Sequence, residues 1–155
     1  MSGSFVPVRP HRVYEDLAVG EHRRSLPRTV SEDEIVAFAR IYDPQWFHSD
    51  PELARGSVFG EVVASGIHVL ALWRQMDHEV NSDIDFVCGV GWDNLRLQHA
   101  VRAGDTIHVT SEITELRPSS KPGRGVMTYL TEVINQRNEV AAQFTSSNLM
   151  RKGPL

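Results

Sequence analysis

The chain has one cysteine, Cys88, among its 155 residues. An intrachain disulfide and a cysteine-built zinc site are therefore excluded, and a lone thiol of this kind is expected to pack as a small buried hydrophobe. Long basic runs are missing too: nothing exceeds Arg23-Arg24, and 16 Lys and Arg against 20 Asp and Glu leave a net charge of -4. That balance argues against a nucleic-acid surface and favours a small or acyl-type ligand. No segment reaches the ~18 apolar residues of a membrane span, and the stretch from Met1 to Pro10 has no apolar core of a secretion signal. A cytoplasmic protein without membrane attachment is expected. The sequence carries no internal repeat and no break in composition, so 1–155 reads as one domain, and its 41% hydrophobic content is ample for a core at this length.

What is present falls into a helical first half and a strand-rich second half. Residues 1–20 read as an extended lead-in and 22–30 as a first strand. Ser31 and Glu34 form a capping-box signature, and Ile35, Phe38, Ala39 and Tyr42 recur at helical spacing, so a helix is expected from Ser31 to Tyr42 and a stop at Asp43-Pro44. Ser49-Asp50-Pro51-Glu52 opens a short helix to about Arg55. From Val62 to Val80 the chain is apolar on nearly every side until Trp73, which predicts an enclosed helix. Strands follow over 87–101, with Gly89 and Gly91 on one side of the pleat, and then around Ile107, Val109 and Ile113. Two more are expected, one from Val126 to Val133 and one from Val140 to Met150, the latter with Phe144 and Leu149 as its larger apolar contacts. One enclosed helix followed by long antiparallel strands implies an α+β fold, a curved sheet wrapped around the helix.

Candidate chemistry concentrates between Asp43 and Gly66. Asp43 and His48 are five positions apart with Pro44 between them, so they cannot neighbour one another on one continuous helix and are placed on a turn. Gly66 opens the apolar run, where a helix N-terminus offers free N–H groups to developing negative charge. His68 reads as a packing residue of that helix. Asp43, His48, Asp50 and His68 contain no ligand pair at metal-binding spacing, so no metal or other cofactor is expected. Ser65 lacks the surroundings of a nucleophile elbow and reads as a helix cap.

Taken together these motifs resemble the hotdog-fold family of MaoC-like dehydratases and (R)-specific enoyl-CoA hydratases, over about residues 14–150. That family carries an Asp, a His five residues later, a His-Gly or Ser-Gly step at the start of the central helix, and a Val-x-x-Gly-Asp turn. Here these are Asp43, His48, Ser65-Gly66 and Val101-Arg-Ala-Gly104-Asp105. The hydratase motif usually reads Asp-x-Asn-Pro-x-His, whereas this chain has Asp-Pro-Gln-Trp-Phe-His.

The resemblance implies interconversion of trans-2-enoyl-CoA and (R)-3-hydroxyacyl-CoA within fatty acid metabolism. Asp43 and His48 would grip a water, and the Gly66 N–H would stabilise the thioester oxygen. The carrier would be coenzyme A or an acyl carrier protein. Arg117, Lys121 and Arg124 are candidates for contacts to carrier phosphates, and Ser65, Trp46 and Phe47 for the substrate pocket. A homodimer that continues the sheet is expected, because a single unit leaves a sheet edge unpaired. Two other readings stand beside this one: a hotdog thioesterase, and a non-catalytic subunit that binds acyl-CoA or stabilises a partner.

Overall fold

The computed structural model describes residues 6–154. Part of the expected lead-in, residues 1–5, lies outside the described residues; the rest is irregular apart from a 3-10 turn at Tyr14–Asp16. The expected first strand is broken into β1 (His22–Arg24) and β2 (Arg28–Thr29), both antiparallel to the same neighbour. Four helices follow: α1 (Glu32–Tyr42), α2 (Trp46–Ser49), α3 (Pro51–Ala54) and α4 (Gly66–Asn81). The second half is four long strands, β3 (Phe86–Leu97), β4 (Thr106–Pro118), β5 (Arg124–Asn135) and β6 (Val140–Arg151). They pair antiparallel in the order β1-β4-β5-β6-β3, which leaves β3 on the edge.

Local chemistry sets most of these boundaries. Ser31 Oγ accepts from Glu34 N at 3.2 Å while Glu34 Oε2 accepts from Ser31 N at 3.0 Å, so the capping box starts α1 as expected. Asp43 leaves the helical region at φ -153°, as a residue before proline should. The Gly104-Asp105 turn uses glycine at φ 86°, and Asp105 Oδ2 accepts from Arg102 N at 2.9 Å to close it.

The core lies between α4 and one face of the sheet. Trp73 of α4 is 1% exposed; its Nε1 donates to Thr131 Oγ1 of β5 at 2.8 Å and its ring meets Phe144 of β6 edge-on at 4.7 Å. Burying such side chains supplies about 1.5–3 kcal/mol each.

Several expectations are corrected. The central helix begins at Gly66 behind the Ser65 cap, as expected, but it is not enclosed all round: Ile67, Ala71, Arg74 and His78 line an exposed face. β3 stops at Leu97, and an irregularity between Gly89 and Gly91 puts them opposite Asn148 and Ser147, so they face opposite sides of the sheet. Cys88 is exposed, because no strand among the described residues pairs with the outer edge of the strand that carries it. On β6 the core face holds Phe144 and Met150; Leu149 has the other parity and points away from it.

Candidate active site

Asp43 and His48 are brought together by three short elements. Asp43 caps the C-terminus of α1, its N–H donating to Ala39 O at 2.9 Å. The chain then makes α2, a single turn not foreseen from the sequence, which carries His48. Arg40 Nε of α1 donates to Ser49 O of α2 at 3.2 Å and ties the two elements. The segment before α4 fixes the ring: His48 Nδ1 lies 2.6 Å from Val63 O, and Val63 N donates to Phe47 O at 3.3 Å. A carbonyl only accepts, so Nδ1 is the donor, and in a neutral ring this tautomer would leave Nε2, the nitrogen that faces Asp43, as an acceptor. His48 Nε2 and Asp43 Oδ2 are 3.9 Å apart, with side chains 12% and 28% exposed.

His48 also lines a cavity of ≈250 Å³ whose other walls include Phe59, Gly66, Val69, Leu97 and Ala141. Gly66 is the first residue of α4, where an N–H has no acceptor within the helix. A methyl group added to it would run into Leu97 Cδ1. Asp43 is not among the residues that line this cavity and meets it only through His48, so the cavity itself joins apolar walls, one imidazole and a helix N-terminus, with the carboxylate behind the ring.

The other sequence candidates are less central. Ser65 is 1% exposed and its Oγ accepts from His68 N at 3.3 Å, so it caps α4 and does not line the cavity. Trp46 and Phe47 are also absent from its walls; Phe47 packs edge-on against His48 at 4.5 Å and Trp46 stands outside Phe47. Arg117, Lys121 and Arg124 sit in and beside the β4–β5 turn, at the end of the sheet away from this cavity. His68 is buried and stacks on Phe38 at 4.4 Å with Nδ1 unpartnered; burial lowers its pKa. No group of three His, Cys, Asp or Glu side chains among the described residues is placed to hold a metal ion.

Sequence reading missed Val63, Leu97 and His99. Val63 acts through its carbonyl, which no side-chain pattern reveals. His99 also lines the cavity, with Nδ1 3.0 Å from Val140 O, and its polar neighbour Gln98 at the strand end was the available signal.

The antiparallel sheet with α4 packed on one face and the Asp-His pair beside the helix N-terminus define a MaoC-type hotdog domain. The family model described as "MaoC like domain" matches residues 16–135, and the chain belongs to that family. It is similar to the crystal structure of a MaoC-like dehydratase from Rhodospirillum rubrum, with TM-score 0.85 and 34% identity over 93% of this chain and 99% of that one. A 3-hydroxyacyl-thioester dehydratase Z of Mycobacterium tuberculosis is 30% identical over 88 residues, 55% of this chain and 58% of the relative. A conserved hypothetical protein of M. tuberculosis with a double hotdog fold matches at TM-score 0.77 and 17% identity, over 93% of this chain and 45% of its own length.

Proposed function

We propose that the protein hydrates trans-2-enoyl thioesters, or in reverse dehydrates (R)-3-hydroxyacyl thioesters, with Asp43 and His48 holding the water and Gly66 N–H receiving the thioester oxygen. The observation that carries this reading is the 3.9 Å separation of two acceptors, Asp43 Oδ2 and His48 Nε2. One water donating to both through ~2.8 Å hydrogen bonds would subtend about 90° across that gap, close to its own H–O–H angle. Both of its lone pairs then stay free, and one can attack the β-carbon.

In the hydration direction a C–O bond forms at the β-carbon as the water yields one proton to the acceptor pair. The C=C electrons move onto the α-carbon and thioester oxygen. The enolate oxygen meets the Gly66 N–H at the positive end of α4, and the proton returns to the α-carbon. Atoms and charge balance with no further reactant. The family membership and the dehydratase relative support the reaction class.

The functional unit in this reading is a homodimer joined along β3. Val90 and Trp92 of that strand are 60% and 50% exposed, and its outer edge has no partner strand among the described residues. An open apolar edge of this length is a template for a second copy. The double-hotdog relative, with room for two such units in one chain, fits the same logic.

Asp43→Asn and His48→Ala test the chemistry. Each should lower the loss of enoyl-thioester absorbance by about 10²-fold or more while leaving the circular dichroism unchanged. Full activity in either variant would overturn the assignment. Release of free thiol with unchanged enoyl absorbance would instead mark a thioesterase, and tight acyl-CoA binding with zero turnover a binding subunit.

A further inference from the structure

Arg124, at the start of β5, and Arg151, at the end of β6, are direct cross-strand partners. Like charges placed opposite one another destabilise a sheet unless something lies between them. Lys152 follows, its ammonium 5.6 Å from the Tyr14 ring centre, and the three cations share a cleft of ≈510 Å³ in which Asp85 is the one carboxylate among the described lining residues; Glu15 lies beside it, accepting from Gly153 N at 3.2 Å. The Asp85 carboxylate reaches Arg151 only at 3.8 Å. A chain of net charge -4 thus gathers an excess of positive charge around one cleft.

The cleft lies at the Phe86 end of β3, whereas the His48 cavity lies at the Leu97 end. Twelve residues of strand separate the two by roughly 35 Å within one protomer. Two-fold antiparallel pairing of β3 with its copy reverses that relation, because the partner's Phe86 end comes to lie beside Leu97. With strands ~4.8 Å apart, the ends of the partner's β6 and β5 then stand only ~10 and ~14 Å across the sheet from Leu97.

We propose that Arg124, Arg151 and Lys152 bind the phosphates of coenzyme A for the His48 cavity of the other protomer. This rests on the acyl-thioester reading and the β3 dimer above. It also gives Arg124 the phosphate role expected from sequence, supplied across the interface instead of within the chain. Guanidinium and ammonium groups on a strand end suit a diphosphate and a phosphomonoester; Arg124 Nη1 and Arg151 Nη2 each donate to one backbone carbonyl, of Gly123 and Pro154, which leaves further N–H groups on both for an anion.

The test replaces all three residues (Arg124→Gln, Arg151→Gln, Lys152→Gln) and compares an enoyl-CoA with the same acyl group on N-acetylcysteamine, which has no phosphate. KM for the coenzyme A ester should rise about tenfold or more, equivalent to the loss of one or two charge-assisted hydrogen bonds, without a matching rise for the truncated ester. Equal rises, or none, overturn the proposal.

Mixed dimers assign the side. A His48→Ala protomer paired with a triple-Gln protomer has one site with intact His48 and the other chain's intact cations, so the wild-type KM should return. A KM that stays raised overturns the contribution across the interface. If the wild type turns over no enoyl-CoA, the chemical reading fails by itself, and calorimetric titration of coenzyme A decides the phosphate site separately. The triple-Gln dimer and a monomeric Val90→Glu variant should then both bind more weakly than the wild type, and wild-type affinity in either overturns the proposal.

Discussion

At the residue scale, His48 shows how one backbone atom decides what a side chain can do. The 2.6 Å contact to Val63 O occupies Nδ1 as a donor, so in a neutral ring the nitrogen that faces the carboxylate is the acceptor. His68 is the opposite case, a histidine held for packing. It is 4% exposed and faces Phe38 in a stack, Glu34 across α1 and Arg28 from β2. Burial lowers its pKa below the ordinary 6.5, the nearby Glu34 charge opposing and Arg28 reinforcing the shift. His78 and His108 are lowered as well, again first by burial. The unfolded chain therefore binds these protons more readily than the native state. Stability is fully present above the unfolded pKa and is lost as pH falls from there through the depressed native values. Urea midpoints should drop between pH 7.5 and 5.5 in the wild type and drop less in His68→Phe, which keeps the stack and removes the titrating ring.

At the scale of elements, α4 is tied to the sheet by a buried polar network as well as by Trp73. Asp77 is 1% exposed and accepts from Arg74 Nη1 at 2.7 Å, Asn81 Nδ2 at 2.8 Å and the Tyr129 hydroxyl at 3.2 Å. Burial pushes the carboxyl above its ordinary range, the donors pulling it back. Removing one donor leaves the other partner buried and short of a bond. Tyr129→Phe should cost about 1–3 kcal/mol in chemical denaturation, and Ser31→Ala, which opens the α1 capping box on the surface, about 1 kcal/mol. Gly66 tests the helix start differently. Its backbone needs no left-handed conformation, so Gly66→Ala should melt near the wild-type temperature while the new methyl displaces Leu97 in the cavity. Enoyl-thioester turnover should fall by about tenfold or more through misplacement of the substrate carbonyl.

At the scale of the whole molecule, the sheet is closed on one side and open on the other. β1 and β2 cover the outer edge of β4 with short pairings, but no strand among the described residues covers the outer edge of β3. The exposed stripe of α4 at Ile67, Ala71, Arg74 and His78 leaves a second uncovered apolar and polar surface on the central helix. A second copy along β3 would satisfy the edge. Val90→Glu puts a charge at the middle of that strand, and sedimentation should show a dimeric wild type and a monomeric variant. A monomeric wild type would sink the pairing.

The sequence by itself determined what depends on a few neighbouring residues: the capped start of α1, its stop at Asp43-Pro44, the alternation of Ile107, Val109 and Ile113, and the Asp43–His48–Gly66 spacing. These signals are local because backbone sterics, caps and side-chain periodicity act within a turn or a few strand residues. Only the tertiary structure decided which surfaces that pattern meets. It placed Val63 O against His48, exposed Cys88 on the edge strand, left one face of α4 open, and moved Arg124 to the far end of the sheet. Burial and hydrogen-bond partners come from segments distant in the chain, and no single stretch of sequence encodes which of them will arrive.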